Sequence, residues 1–118
     1  MGIGILRFFR RNPSIKLNVI LYQEKDEWIA HCLQMDIVTA NKDQRTVEDD
    51  IVDLIKTQVV YAFENENVEN IFKSAPSTEW ERLRQSQHCG IRKIKIAVSK
   101  TDYKNHSIPI REVELCLA

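Results

Sequence analysis

The feature that most constrains the fold is a change of hydrophobic period near residue 45. Before it, from residue 16 to residue 40, apolar and polar side chains alternate, as they do in half-buried β-strands. After it, apolar residues recur every three or four positions, as they do on one face of a helix. Short polar breaks divide the first region into strands at 16–22, 28–33 and 37–40. Connections this short predict an antiparallel meander of three strands followed by one long helix.

The long helix is predicted over residues 46–64, with Thr46 as its N-cap. Glu48, Asp49 and Asp50 then fall in the first turn, where the helix dipole favours negative charge. A single apolar stripe needs a surface to cover it, and the meander supplies one, so we expect the helix to lie across one face of the sheet. The predicted core comprises Leu17, Val19, Leu21, Trp28, Ala30, Ile51, Leu54, Ile55, Val59 and Phe63.

The second half of the chain begins with a shorter helical pattern. Pro76 and Ser77 are typical of a helix start, and Gly90 is typical of a helix end. Thr78 and Glu81 have the spacing of a capping box, in which each side chain bonds the backbone N–H of the other residue. We therefore predict a second helix that ends before Gly90.

Alternating residues then predict two more strands, at 92–99 and 111–117. Pairing them with Ile94 opposite Val113 places lysines opposite glutamates, which stabilises a sheet. The connection between these strands is long for a hairpin. The last strand is therefore predicted to pair either within the chain or with a second subunit.

Together these elements predict a single α+β domain over residues 1–118, with an antiparallel sheet of four or five strands in the order β-β-β-α-α-β-β. The long helix packs on one face of this sheet. Residues 16–64 form a β-β-β-α module, and residues 76–118 contribute the short helix and the last two strands. A chain of 118 residues has room for one modest core, so we expect one domain.

Composition narrows the cellular setting. No apolar run reaches the roughly 20 residues that cross a bilayer, so we expect no membrane insertion. The first residues lack the pattern of a secretion signal, and 3 cysteines are too few and odd in number for a disulfide framework. We therefore expect a cytoplasmic protein with reduced thiols.

The candidate catalytic and metal-binding residues are two His-Cys pairs, His31-Cys32 and His88-Cys89. Consecutive side chains of a strand point to opposite faces, so His31 and Cys32 are not placed to bind one ion. Neither pair has the two-to-four-residue ligand spacing of a structural zinc site, and neither cysteine has the local signature of a Cys–His nucleophile. The sequence also has neither a glycine-rich phosphate loop nor a nucleophile elbow. We predict a protein without catalytic activity, metal or cofactor.

Charge is uneven although the net charge is zero. Residues 21–70 contain 4 basic and 12 acidic side chains, whereas the flanking segments are basic. The acidic segment is either a solvated helix face or a surface that meets a basic partner. For the second interpretation, the candidate contact residues are Gln34, Glu48, Asp49 and Asp53. Nucleic acid is a poor partner for this segment because phosphate binding requires lysine and arginine.

The basic N-terminal segment supports a different function. Arg7, Arg10 and Arg11 flank two phenylalanines, and single-strand RNA binders combine aromatic and cationic groups in this way. Local packing or fraying of the segment is the structural alternative. An RNA-binding domain that uses these arginines therefore stays open as an alternative function.

Two segments carry a family resemblance: EWIAHCLQMDIVTA at 27–40 and TVEDDIVDL at 46–54. They resemble the HicB-like antitoxin family, in which an aromatic residue opens the second strand, a turn of the Cys-Leu-Glu-Leu-Asp type follows, and a threonine caps an acidic helix. Here the aromatic residue is Trp28, the turn runs from Cys32 to Asp36, and the cap is Thr46. The resemblance covers residues 16–64, under half of the chain.

The resemblance implies a β-β-β-α module related in shape to double-stranded-RNA-binding domains. It also implies that the module binds and masks a small basic RNA-cleaving toxin of the HicA type, and that the chain forms dimers or tetramers. Residues 91–118 depart from the family because they predict strands where many members have a DNA-binding segment. A stand-alone homo-oligomer with a structural or interaction role is the other alternative, with the last strand completing the sheet of a neighbour.

Overall fold

The computed structural model describes residues 15–96 and 110–118, which form a mixed β-sheet and two α-helices. This confirms the α+β class and the predicted order of elements. The strands are β1 (Ile15–Glu24), β2 (Glu27–Cys32), β3 (Ile37–Asn41), β4 (Gln87–Lys93) and β5 (Ile110–Leu117), and the helices are α1 (Gln44–Glu64) and α2 (Ser77–Arg84), with a 3₁₀ turn at Val68–Asn70 between them.

The meander has the predicted antiparallel pairing. Leu21 of β1 faces Ala30 of β2, and Ala30 faces Thr39 of β3. Glu24 and Glu27 are also paired, so only two residues make the first turn. This short connection fixes the register and keeps the alternating apolar residues on one face.

The last strand lies inside the sheet, whose order is β3-β2-β1-β5-β4. β5 pairs with β1 in parallel and with β4 antiparallel, all within one chain. The prediction of a fully antiparallel sheet is therefore wrong for the β1–β5 pair. The physical reason is that α1, α2 and β4 separate these strands in sequence, and a connection that long permits a parallel crossover.

The predicted position of β4 is also wrong. Helix α2 ends at Arg84, and Gly90 lies inside β4 instead of ending the helix. Val113 faces Arg92, not Ile94, so the register differs from the prediction by two residues. His88 has a φ of 53° and is an extra residue between Gln87 and Cys89, and this bulge shifts the register of β4 by one residue. Part of the predicted strand, residues 97–99, lies outside the described residues.

Helix α1 starts at Asp43, not at Thr46. The Asp43 carboxylate accepts hydrogen bonds from the backbone N and the Oγ1 of Thr46, each 2.8 Å long, and the Asp43 carbonyl accepts one from Val47 N at 3.0 Å. Glu48 and Asp49 consequently lie in the second turn and not in the first. The two hydrogen bonds from Thr46 lower the pKa of Asp43 below its usual value of 3.8.

This cap gives a pH-dependent prediction. A carboxyl whose pKa is lowered by folding stabilises the fold above its usual pKa, and this stabilisation is lost as the pH falls through the folded-state value. We expect Asp43→Ala to melt below the wild type at neutral pH and the difference in Tm to shrink below pH 3.8. Asp43→Asn keeps the capping oxygen without the charge and should match the wild type more closely in neutral melts. A Tm difference between wild type and Asp43→Ala that is the same at every pH would contradict this role.

The core lies between α1 and one face of the sheet, as predicted. Eight of the ten predicted core residues are buried. The other two, Trp28 and Leu54, are half-buried. Trp28 still packs against the core, whereas Val52, at 2% exposure, faces the sheet where Leu54 was expected. The apolar stripe of α1 therefore comprises Val47, Ile51, Val52, Ile55, Val59, Ala62 and Phe63.

The opposite face of the sheet is partly covered by α2 and the segment before it. Ile20 and Leu33 are buried there beneath Ala75, and Trp80 and Leu83 pack against them. The backbone fixes this layer, because Ala75 N donates to the Leu33 carbonyl at 2.8 Å.

The predicted capping box of α2 is not formed. The N-cap is Pro76, and its carbonyl accepts a 2.9 Å hydrogen bond from Glu79 N. Thr78 lies inside the helix. A capping box needs its threonine at the N-cap, and because Pro76 holds that position, Thr78 is the second residue of the helix and the box cannot form.

Two cysteines form a disulfide, which corrects the expectation of reduced thiols. Cys89 of β4 and Cys116 of β5 are paired across the strands with an S–S distance of 2.04 Å. They are 27 positions apart in sequence, and only the strand register brings them together. Cys32 is free and buried in the core.

Within residues 15–96 and 110–118, we find no helix of sufficient length and hydropathy to span a membrane.

Candidate protein-binding site

The first half of α1 presents acidic side chains away from the core. Because Val47, Ile51 and Val52 turn toward the sheet, Asp49 and Asp53 remain exposed one helical turn apart. Glu48 is half-buried on the same half of the helix. Three of the four predicted contact residues therefore lie together on one helix.

A groove runs between this part of α1 and the outer strand β4. Its floor is apolar and consists of Leu21, Leu115 and Leu117. Glu48 lies on the helix side and Gly90 on the strand side, and the volume is about 300 Å³. A Cβ added to Gly90 would meet no atom within 4 Å, so this wall of the groove is low and open.

The acidic side of the groove is partly neutralised by a residue that the sequence analysis did not include in the site. The Nη1 of Arg92 donates to Asp49 Oδ1 at 2.7 Å, which connects β4 to α1. Both side chains are exposed, so the pair contributes little to stability and can exchange for another ion pair. Glu48 accepts a hydrogen bond from Gln44 one turn earlier on the helix.

The fourth predicted contact residue, Gln34, is not part of this cluster. Its Oε1 accepts from Asn18 N and its Nε2 donates to Asn18 Oδ1, both at 2.8 Å. Asn18 alternates with the buried Leu17 and Val19, so its side chain lies on the face opposite α1. Gln34 therefore joins the turn after β2 to β1, away from the acidic helix.

The buried histidine has a structural link on each ring nitrogen. His31 is 5% exposed, its Nε2 lies 2.6 Å from Asp36 Oδ1, and its Nδ1 lies 3.3 Å from Glu79 Oε1. Glu79 belongs to α2, so the imidazole joins that helix to the sheet. Both nitrogens are thus occupied by carboxylates of the fold.

The arginines of the alternative RNA-binding function, Arg7, Arg10 and Arg11, lie outside the described residues, and their role stays a prediction.

No protein family, curated protein or solved structure that we compared with the chain matches it. The function is therefore inferred from the groove, the acidic helix and the charge of the chain.

Proposed function

We propose that this chain is a non-catalytic protein-binding module of the cytoplasm, which masks a small basic RNA-cleaving protein in the manner of a HicB-type antitoxin. The observation that carries the proposal is the position of the acidic half of α1 beside an open groove with an apolar floor. A protein interface combines these two properties: buried apolar contacts supply affinity, and charges at the rim supply specificity and speed of association.

Charge complementarity indicates a basic partner. Glu48 lines the groove, and Asp49 and Asp53 extend the negative surface along the helix. Arg92 already binds Asp49, so an arginine or lysine of the partner can take the place of an existing ion pair. The partner therefore gains a charge contact without the cost of burying an unpaired carboxylate.

The environments of His31 and Cys32, one of the two predicted His-Cys pairs, support a binding function over catalysis. Burial raises the pKa of the Cys32 thiol to about 12, so this sulfur stays protonated and a poor nucleophile. The Nδ1 of His31 joins the sheet to Glu79 of α2, and its Nε2 contacts Asp36 in the turn between β2 and β3. Cys32 is therefore part of the core, and His31 is part of the contact between α2 and the sheet.

The C-terminal part favours protein binding over operator binding. Residues 110–117 form an interior strand, and residues 87–93 form its neighbour. In a DNA-binding helix-turn-helix, a helix enters the major groove, and the described residues 87–93 and 110–117 form strands instead of such a helix. The proposal accordingly includes masking of a toxin and does not include DNA recognition.

Charge reversal on α1 tests the proposed interface. The chain is coexpressed with whatever small basic protein a neighbouring gene encodes, and the complex is purified through a tag on the basic protein. We expect Glu48→Lys and Asp53→Lys each to weaken the complex about tenfold or more, because each places like charges together. Isothermal titration with the purified proteins measures the change.

The matched control is Glu69→Lys, which makes the same charge change in the 3₁₀ turn beyond the other end of α1. Glu69 is exposed, so the control should keep both the fold and the complex. A complex that tolerates both reversals on α1, or one that Glu69→Lys weakens equally, would contradict the assigned surface. The absence of any complex with the basic protein would overturn the function itself.

Self-association is the second candidate, and the outer strand β4 favours it. Six of its seven residues are exposed, and Ile91 is 55% exposed. An outer strand offers unpaired backbone N–H and C=O groups to a further strand. A dimer formed through this edge would agree with the dimer or tetramer that the family resemblance implies. The oligomeric state itself stays a prediction.

A further inference from the structure

Three potential metal ligands meet where β4 and β5 pair. Glu114 and Cys116 are two residues apart on β5 and so share one face of the strand, and Cys89 lies opposite Cys116 on β4. One ligand atom from each residue lies within 4.8 Å of the other two. In the disulfide the two sulfurs are bonded to each other, so an ion fits between them only after reduction lets them move apart. Bonds of about 2.0–2.3 Å from two sulfurs and one oxygen can then reach one central ion.

The carboxylate of the cluster is held in place by neighbouring side chains. Asn18 Nδ2 donates to Glu114 Oε1 at 3.0 Å, and Lys16 Nζ lies 3.7 Å from the same oxygen. Asn18 is itself fixed by the amide of Gln34. Both contacts of Glu114 use Oε1, so Oε2 is directed to neither of them. Hydrogen bonds that orient a ligand in this way raise metal affinity.

We propose that reduction of the Cys89–Cys116 disulfide converts this cluster into a site for a thiophilic divalent cation, with Zn²⁺ as the best match. The two thiolates and the Glu114 carboxylate bind the ion, and a water molecule completes tetrahedral coordination. The ligands lie on the face of the sheet opposite α1, so this inference is independent of the proposed function.

Conversion of the disulfide into two thiols needs a dithiol reductant. The dithiol supplies two electrons and two protons, its own sulfurs become a disulfide, and Cys89 and Cys116 each become a thiol. Zn²⁺ then displaces both thiol protons to solvent and forms two Zn–S bonds and one Zn–O bond. Three negative ligand charges, one of them partly offset by Lys16, suit a divalent ion.

The exposure of the cysteines makes the exchange accessible. Cys89 is exposed, so a thiolate of the reductant can attack its sulfur, whereas Cys116 is buried and acts as the leaving group. The remaining cysteine does not compete for the cation. Cys32 lies in the core on the α1 face of the sheet, whereas the three ligands lie on the opposite face.

Titration of the full chain with Co²⁺ tests the site. Co²⁺ occupies zinc sites and gives an intense thiolate-to-metal absorption band. We expect the band to appear in the reduced chain, to saturate at one equivalent and to disappear when Zn²⁺ is added. The chain with its disulfide intact should give no band. Zn²⁺ should also protect Cys89 of the reduced chain from iodoacetamide.

Two variants complete the experiment. Cys89→Ser changes an exposed side chain, and we expect it to lose the band while its circular dichroism is unchanged. Glu114→Gln keeps both thiols and should weaken Co²⁺ binding about tenfold or more. A reduced wild-type chain without a band, a band that persists in Cys89→Ser, or unchanged affinity in Glu114→Gln would each overturn the three-ligand site.

Discussion

Reduction of the Cys89–Cys116 disulfide is expected to lower the free energy of unfolding by about 3.5 kcal/mol. The disulfide closes a loop of 27 residues, and cross-linking a loop of this length removes that much conformational freedom from the unfolded chain in the chain-entropy account. Urea unfolding with and without a dithiol, in buffer free of divalent metal ions, measures the difference. The native sheet should survive reduction, because β4 keeps its backbone pairing with β5 and the Arg92–Asp49 ion pair.

The control is Cys89→Ser, because Cys89 is exposed and its replacement leaves no cavity. This variant should unfold at the same urea concentration with and without the dithiol, and close to the midpoint of the reduced wild type. Coincident midpoints for the oxidised and reduced wild type would show that the cross-link does not contribute to stability. A dithiol effect that persists in Cys89→Ser would place its origin outside this disulfide.

The part of the fold that the sequence predicted well depends on local signals. Alternation before residue 41 and the helical period after it are properties of neighbouring residues, so the meander and α1 were both recognisable. The helix start was missed by three residues because Thr46 and Asp43 are both good caps. The additional carboxylate charge and the burial of Val47 favour the earlier start.

The part that the sequence predicted poorly depends on contacts between distant segments. The parallel β1–β5 pair, the register of β4 and the disulfide are all set by which strands meet, and no local pattern specifies that. The bulge at His88 is an example: a positive φ at a histidine has no clear sequence signal, yet it moves every later residue of β4 by one position.

The candidate site also has features that local sequence predicts and features that depend on contacts between distant segments. The exposure of Asp49 and Asp53 follows from helical spacing alone, so the acidic surface was predictable. The groove needed the structure, because its second wall is β4, more than 30 residues further along the chain. Arg92 and Gly90 became part of the site only once that register was known. The position of Gln34 away from the acidic helix also needed the structure, because its neighbours in the turn gave no indication of its contact with Asn18.

Replacement of Ile55 by alanine is expected to lower the free energy of unfolding by about 3 kcal/mol, because its side chain is fully buried against the sheet. The matched control is Leu54→Ala. Leu54 is half-buried and, among the described residues, belongs to neither buried cluster, so we expect a loss of about 1 kcal/mol. Alanine favours helix at both positions, so any loss reports packing and not helix propensity. Urea unfolding of both variants measures the difference.

The comparison also tests the orientation of α1 on which the acidic surface depends. Consecutive helix residues are about 100° apart, so a helix that buried Leu54 instead of Ile55 would be rotated by that angle. Asp49 and Asp53 would then take the directions that Asp50 and Leu54 have now, and both of these positions are half-buried. A larger loss for Leu54→Ala than for Ile55→Ala would therefore contradict the packing of α1 and remove the surface that the proposed partner needs. The expected order of losses, with Ile55 first, keeps Asp49 and Asp53 in solvent, where a basic protein can reach them.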